Sequence, residues 1–188
     1  MSQLIILNGA SGAGKTFSME EMPKVDERIV PIKKYTTREP RPFEDEKNPI
    51  DLIFNCTPEQ INVCKYQYPY VGNLYGIDSR QIEDALNDGN APIVIVRDYK
   101  VIIQLRHDFP SSVNFYIHSA YTGEELRKIL AAQGRQDIEA DERTQRERDN
   151  FADYMKYLDK DLFDHHVLNY YDENLIKQMR YYLSKHKG

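Results

Sequence analysis

Tryptophan is absent, cysteine occurs only at Cys56 and Cys64, and no apolar run approaches the ~20 residues needed to span a bilayer. Two cysteines are too few for a disulfide framework or a metal cluster. The first residues show no basic stretch followed by an apolar segment of signal-peptide length, so a reducing, cytoplasmic setting is expected. A formal net charge of −5 argues against a general nucleic-acid surface, and no internal repeat or low-complexity tract is present. What remains is a chain of 188 residues, 40% hydrophobic and 29% charged, with room for one domain that buries roughly 70% of its unfolded surface.

Glycine is scarce, with nine in all, yet three of them fall between Gly9 and Gly14. The run Gly9, Ala10, Ser11, Gly12, Ala13, Gly14, Lys15, Thr16 completes the G-x-x-x-x-G-K-[ST] pattern. Glycines let backbone N–H groups turn inward around a polyphosphate, Lys15 reaches its outer phosphates, and the Thr16 hydroxyl is a natural ligand for Mg²⁺. Leu4 to Leu7 reads as a buried parallel strand ahead of this cradle. A helix from Lys15 to Met22 follows it and is expected to stop at Pro23. A chance glycine-rich turn is the alternative.

Strand and helix signals then alternate in the manner of an α/β protein. Asp78 or Ser79 caps a helix with Ile82, Ala85 and Leu86 on one face and Gly89 at its end. Ile93 to Val96 is a strand bounded by Pro92 and by Arg97 and Asp98, and Val101, Ile102 and Leu105 mark a helix ending near Pro110. Val113 to Ile117 is the next strand. Thr122 and Glu125 form a capping box for a helix over about 123–132, which Gly134 breaks. Residues 135–150 are almost wholly polar and must lie in solvent or over a charged ligand. Phe151, Tyr154, Met155 and Leu158 restore a helical stripe, His166 to Leu168 offers a short strand, and Leu175, Ile176, Met179 and Leu183 face a closing helix.

Arg28, Lys33, Lys34, Arg38 and Arg41 crowd together despite the acidic total, either as a solvated face or as an anion site. Together with Lys15 and the arginines after Gly134, these cations form what phosphoryl transfer requires. Asp98, at the carboxyl end of a strand, reads equally well as a metal ligand or as a helix cap. Tyr66, Tyr68 and Tyr70 alternate with period two, either as an aromatic strand face or as a stacking surface for a ring.

In order and spacing, the cradle, Thr36-Thr37-Arg38-Glu39-Pro40-Arg41, Glu44, Gly72 to Gly76, Asp98, Gln136-Asp137 and Val167 to Asn169 resemble guanylate kinase over nearly the whole chain. The resemblance implies a P-loop three-layer α/β fold with a central parallel sheet, all in one domain. A core would occupy about 1–33, 90–133 and 160–188, a small mixed-sheet acceptor lobe about 34–89, and a helical lid about 134–159. It implies an ATP- and Mg²⁺-dependent nucleoside monophosphate kinase acting on GMP, dGMP or a related monophosphate, as a monomer or weak homodimer, with no nucleic-acid or membrane partner. Lys15, Arg38, Asp98, Arg135 and Arg146 would be catalytic, and Thr16 and Asp98 would hold the metal. Lys34, Arg38, Arg41, Glu44, Tyr66 and Tyr75 would bind the acceptor. The departures gather at the base end. Similar proteins have serine at Lys34, tyrosine at Leu52, a base-reading glutamate at Tyr66, aspartate at Val96 and glycine at Phe43. A tyrosine hydroxyl cannot accept both guanine N–H groups as a carboxylate does. The alternatives are therefore a kinase of a phosphorylated sugar resembling ribose 1,5-bisphosphate kinases, or a non-catalytic binding module.

Overall fold

The computed structural model describes residues 2–40, 44, 49–121, 123–132, 151–152, 154–158 and 161–185. Its centre is a five-stranded parallel sheet, ordered β2-β7-β1-β8-β9, from Ile29–Pro31 (β2), Ala91–Ile95 (β7), Ile5–Gly9 (β1), Val113–Ser119 (β8) and His165–Asn169 (β9). The period-two pattern of β1 and β7 divides their side chains between two cores. Leu4, Ile6, Val94 and Val96 join one, while Ile5, Leu7, Ile93 and Ile95 join the other. Burying each of these aliphatic chains contributes about 1.5–3 kcal/mol, which is why both faces of the sheet are covered.

A second sheet is mixed, ordered β4-β3-β6-β5, from Leu52–Ile53 (β4), Lys34–Thr36 (β3), Asn73–Ile77 (β6) and Tyr66–Tyr70 (β5). β3 runs parallel to β4 and antiparallel to β6, and β5 and β6 form a hairpin. Tyr66, Tyr68 and Tyr75 of this sheet share one core with Leu4, Val94 and Ile102, so the small sheet packs on the same apolar mass as the large one.

The helices are Lys15–Val25 (α1), Pro58–Asn62 (α2), Ser79–Asn87 (α3), Tyr99–Asp108 (α4), Gly123–Ala132 (α5) and Asn174–Lys185 (α6). Asp78 caps α3 through the Arg80 N–H, and Thr57 with Gln60 forms a capping box on α2. No described helix is long and apolar enough to cross a membrane.

Three expectations are corrected. Pro23 lies inside α1 instead of stopping it, because only the last turn follows, and the Asp26 N–H still donates to the Met22 carbonyl. Pro92 lies within β7. The Ala91 N–H donates toward β2, at Arg28 O, so the missing Pro92 donor falls on the opposite side, ahead of the first β1 pair Ile5↔Ile93. In the helical residues 151–152 and 154–158, Tyr154 and Tyr157 pack against the core while Phe151 and Met155 are exposed, so the burying face is aromatic and rotated from the stripe read in sequence. Thr122, the first half of the expected capping box, lies outside the described residues.

Candidate functional site

β1 ends at Gly9, and the chain turns through residues 10–14 into α1, a strand-to-helix path on which backbone conformation is tightly constrained. Gly9 has φ +139°, and a Cβ there would sit 2.3 Å from the Ile117 carbonyl oxygen of the adjacent strand. Gly14 has φ +102° at the N-cap of α1, and a Cβ there would meet Asn169 Nδ2 at 2.4 Å. The loop is held from behind by β9. Asn169 Nδ2 donates to Ala13 O at 3.0 Å, and the Tyr171 hydroxyl donates to Gly12 O at 2.9 Å. Lys15 is buried, with Nζ 2.8 Å from Gly9 O, so the ammonium lies along the concave side of the loop.

One cleft of about 600 Å³ begins at this loop and ends against the second sheet. Ser11, Gly12, Gly14, Lys15 and Thr16 line one end, while Gly9, Ala10 and Ala13 shape the loop from outside the lining. The other end is lined by Lys34, Arg38, Glu44, Asp51, Tyr68, Tyr70 and Tyr75. Two sequence-distant cation systems therefore face one cavity.

Arg38 and Glu44 form a forked pair, Nη1 to Oε2 at 2.8 Å and Nη2 to Oε1 at 2.9 Å, and the guanidinium also lies 5.0 Å from the Phe54 ring centroid. Burial disfavours its charge, but the hydrogen bonds and charge of Glu44 prevail, and its pKa is raised. Lys34 is 4% exposed, with Nζ donating to Ile95 O at 2.8 Å and 3.8 Å from Asp51 Oδ2. Burial lowers its pKa to about 8, and the Arg97 and Arg38 charges push the same way against Asp51.

Two expected site residues stand elsewhere. Tyr66 is fully buried and does not line the cleft. Its hydroxyl donates to Asp108 at the end of α4, at 2.8 Å, because Tyr66, though it shares a face of β5 with Tyr68 and Tyr70, stands at the end of the strand that packs on α4. Tyr68 and Tyr70 line the cleft in its stead. Asp98 likewise leaves the cleft. Its Oδ1 accepts from the Lys100 and Val101 N–H groups at 2.9 and 3.0 Å, so it is the N-cap of α4, beside a separate hollow of about 300 Å³. The cap reading prevails over the metal reading. Arg41, Arg135 and Arg146 lie outside the described residues.

Sequence reasoning passed over Asp51, Arg97, Tyr171 and Glu20, all of which line the cleft. Glu20 carried a usable signal, four residues beyond Thr16 and hence on the same helical face. Arg97 carried another, at the carboxyl end of a central strand where open α/β sheets place ligands. Asp51 and Tyr171 had none, since tertiary packing alone brings them to the cleft.

The cradle fits a polyphosphate. Positive-φ glycines, a buried ammonium and the start of α1 converge on one end of the cleft, and Thr16 offers a hydroxyl there. Among the described residues no group of three His, Cys, Asp or Glu side chains could hold a metal by itself. That donor set suits Mg²⁺, which is held by one or two protein oxygens together with phosphates and waters.

No family model matches the chain. The chain is 28% identical over 169 residues to a guanylate kinase of Alkalilimnicola ehrlichii, which spans 86% of this chain and 82% of that protein. It is 28% identical over 174 residues to one of Gloeobacter violaceus, covering 90% and 80%, and 29% identical over 133 residues to one of Bacillus subtilis, covering 68% and 64%. The crystal structure of guanylate kinase from Anaplasma phagocytophilum superposes with a TM-score of 0.68, covering 98% of this chain and 85% of that one at 17% identity.

Proposed function

We infer that this chain, guanylate-kinase-like in sequence and in fold, is an ATP-dependent nucleoside monophosphate kinase. Its acceptor is GMP, dGMP or a related monophosphate. The single observation that carries this reading is the continuous cleft between the phosphate cradle and the Arg38–Glu44 wall. A donor and an acceptor held at opposite ends of one cavity are converted from two solutes into a single oriented pair, which can supply several orders of magnitude in rate.

ATP supplies the phosphoryl group when bound, with Mg²⁺ neutralising its oxygens. The backbone N–H groups of residues 11–16 and the start of α1 hold the phosphates, and Thr16 provides the protein oxygen for the metal. Lys15 lies beside the outer phosphates, where a fixed cation favours the charge that gathers in the transition state. Arg38, kept charged by Glu44, grips the acceptor phosphate, and Tyr75 borders the same site. Arg41, Arg135 and Arg146 complete this reading as a further phosphate grip and as lid cations, with core, acceptor lobe and lid divided at about 34–89 and 134–159. The protein works as a monomer or weak homodimer in the cytoplasm.

The test is ADP release from Mg-ATP with GMP, dGMP, AMP, CMP, UMP, TMP and ribose 1,5-bisphosphate, each against an ATP-only control. GMP or dGMP is expected to give the fastest release. Lys15→Ala is expected to abolish it, by at least about 10³-fold, while preserving the folded spectrum. Silence with every acceptor, or an active Lys15→Ala protein, would overturn the kinase reading.

A further inference from the structure

The acceptor end contains an unusual neighbour pair. Lys34 stands in β3 and Asp51 directly precedes β4, and their spacing is fixed by the parallel pairing Lys34↔Leu52 and by the Lys34 N–H donating to Asp51 O at 3.0 Å. Their side chains lie 3.8 Å apart, beyond hydrogen-bonding distance, and both line the cleft. An ammonium carries three donors. Among the described residues only Ile95 O lies within hydrogen-bonding distance of this one, and the Asp51 carboxylate accepts from none. Burying a cation this deeply with only one carboxylate beside it, and that one 3.8 Å away, is costly, and Arg38 and Arg97 add like charge against Asp51. The pair thus presents a donor and an acceptor side by side to whatever enters.

We propose that Lys34 and Asp51 read the lactam edge of a 6-oxopurine monophosphate, with Lys34 donating to the C6 carbonyl oxygen and Asp51 accepting the N1–H. Guanine and hypoxanthine offer that acceptor–donor order, while adenine offers the reverse, an amino group toward the ammonium and a lone pair toward the carboxylate. Tyr68 and Tyr70 line the same cavity and supply flat apolar surface for the ring. This reading rests on the kinase assignment of the cleft. It supplies the purine reader that Tyr66, bonded to Asp108 outside the cleft, does not provide. It also differs from a carboxylate that takes both N1–H and N2–H, because the 2-amino group is not needed for the polarity match.

Titration calorimetry of the full chain with GMP, IMP, AMP and ribose 1,5-bisphosphate tests it. IMP is expected to bind within about tenfold of GMP and AMP at least about 100-fold more weakly, since a site built on hydrogen bonds rejects the mispaired analogue strongly. Asp51→Ala, at the cleft surface, is expected to weaken GMP by about 30-fold or more and shrink the GMP-to-AMP ratio below about tenfold. Lys34→Met, which keeps the aliphatic stem, is expected to do the same. The wild-type series needs no variant, so a misfolded variant would not shield the proposal. AMP bound as tightly as GMP, Asp51→Ala binding GMP within threefold of wild type, or tighter binding of ribose 1,5-bisphosphate than of GMP would each overturn it. GMP binding that depends on Asp51, without ADP release, would support the pair and sink the kinase. Equal turnover of AMP and GMP would do the opposite.

Discussion

The two ends of the cleft are built in opposite ways. The cradle is one contiguous stretch, residues 9–16, whose backbone performs the binding and whose shape is fixed by glycines and by the β9 residues behind it. The acceptor end is assembled from single side chains on β3, β5 and β6, with Asp51 ahead of β4 and Arg38 after β3, and its shape depends on which face of a strand each residue takes. Backbone recognition ties function to a local pattern. Side-chain recognition leaves function free to change by one substitution.

The largest effect is expected from Gly14→Val, which attacks the rigid end. The position needs φ +102°, and the new Cβ would collide with Asn169 Nδ2 at 2.4 Å and crowd Leu175 Cδ2 at 3.1 Å. Strained backbone and overpacking each cost about 1–3 kcal/mol. A drop of at least about 3 kcal/mol in denaturant stability, with loss of ATP binding, is the expected outcome. An unchanged midpoint would show that the loop is not the rigid element of the comparison.

Arg38→Ala strikes the adaptable end. It removes a forked pair and takes a guanidinium from the acceptor-phosphate site while the Glu44 carboxylate stays there. Initial-rate measurements are expected to show the acceptor KM raised by about 10²-fold or more with the ATP KM within about threefold. Equal loss of both would mean that the two ends are not separable.

The legibility of the sequence follows the same division. The P-loop was plain because backbone chemistry demands specific residues at consecutive positions, and the parallel core was plain because Leu4 to Leu7 and Ile93 to Val96 are continuous apolar runs. Asp51 was not legible, since a parallel pairing between residues 18 positions apart leaves no periodic trace, and Lys34 is placed beside it only by the ladder. Asp98 shows the limit from the other side. A carboxylate at the end of a strand satisfies the rule for a ligand site and the rule for a helix cap, and the geometry of Lys100 and Val101 decides for the cap. Tyr66 misled because the period-two pattern gives the face, which it shares with Tyr68 and Tyr70, and not how far along that face the cleft extends.

Lys34 gives a medium effect with a distinctive sign. Burial lowers its pKa to about 8 from the ordinary 10.5, so between those values the unfolded chain binds more protons than the folded one. Stability is therefore expected to rise with pH across that window, by roughly 3–3.5 kcal/mol in all, with the penalty fully present below it. GMP affinity is expected to fall over the same range, as the ammonium that faces the acceptor loses its proton amid Asp51, Arg38, Arg97, Tyr68 and Tyr75. Denaturation and GMP titration at pH 7, 8 and 9.5 would show the opposed trends. Parallel trends would place the titrating group outside the acceptor end.

Tyr66→Phe, the smallest change, separates position from role. It deletes the hydroxyl that donates to Asp108 at 2.8 Å and leaves the ring, which is 1% exposed, in the shared core. Asp108 keeps Lys65 at 2.9 Å and His107 at 2.9 Å, so its carboxylate is not stranded. The expected cost is about 0.5–1.5 kcal/mol of stability, with the acceptor KM and the GMP-to-AMP preference within about twofold of wild type. Tyr70→Phe, by contrast, removes the hydroxyl that accepts from Arg97 Nη1 at 2.7 Å on the cleft wall. Tyr66 and Tyr70 stand on one face of β5, so if Tyr66→Phe changed base preference and Tyr70→Phe did not, the acceptor would have to reach the Asp108 end of that face and not the Arg97 end. Position along that face separates the two, since Tyr66 is buried against the end of α4 while Tyr70 borders the cleft.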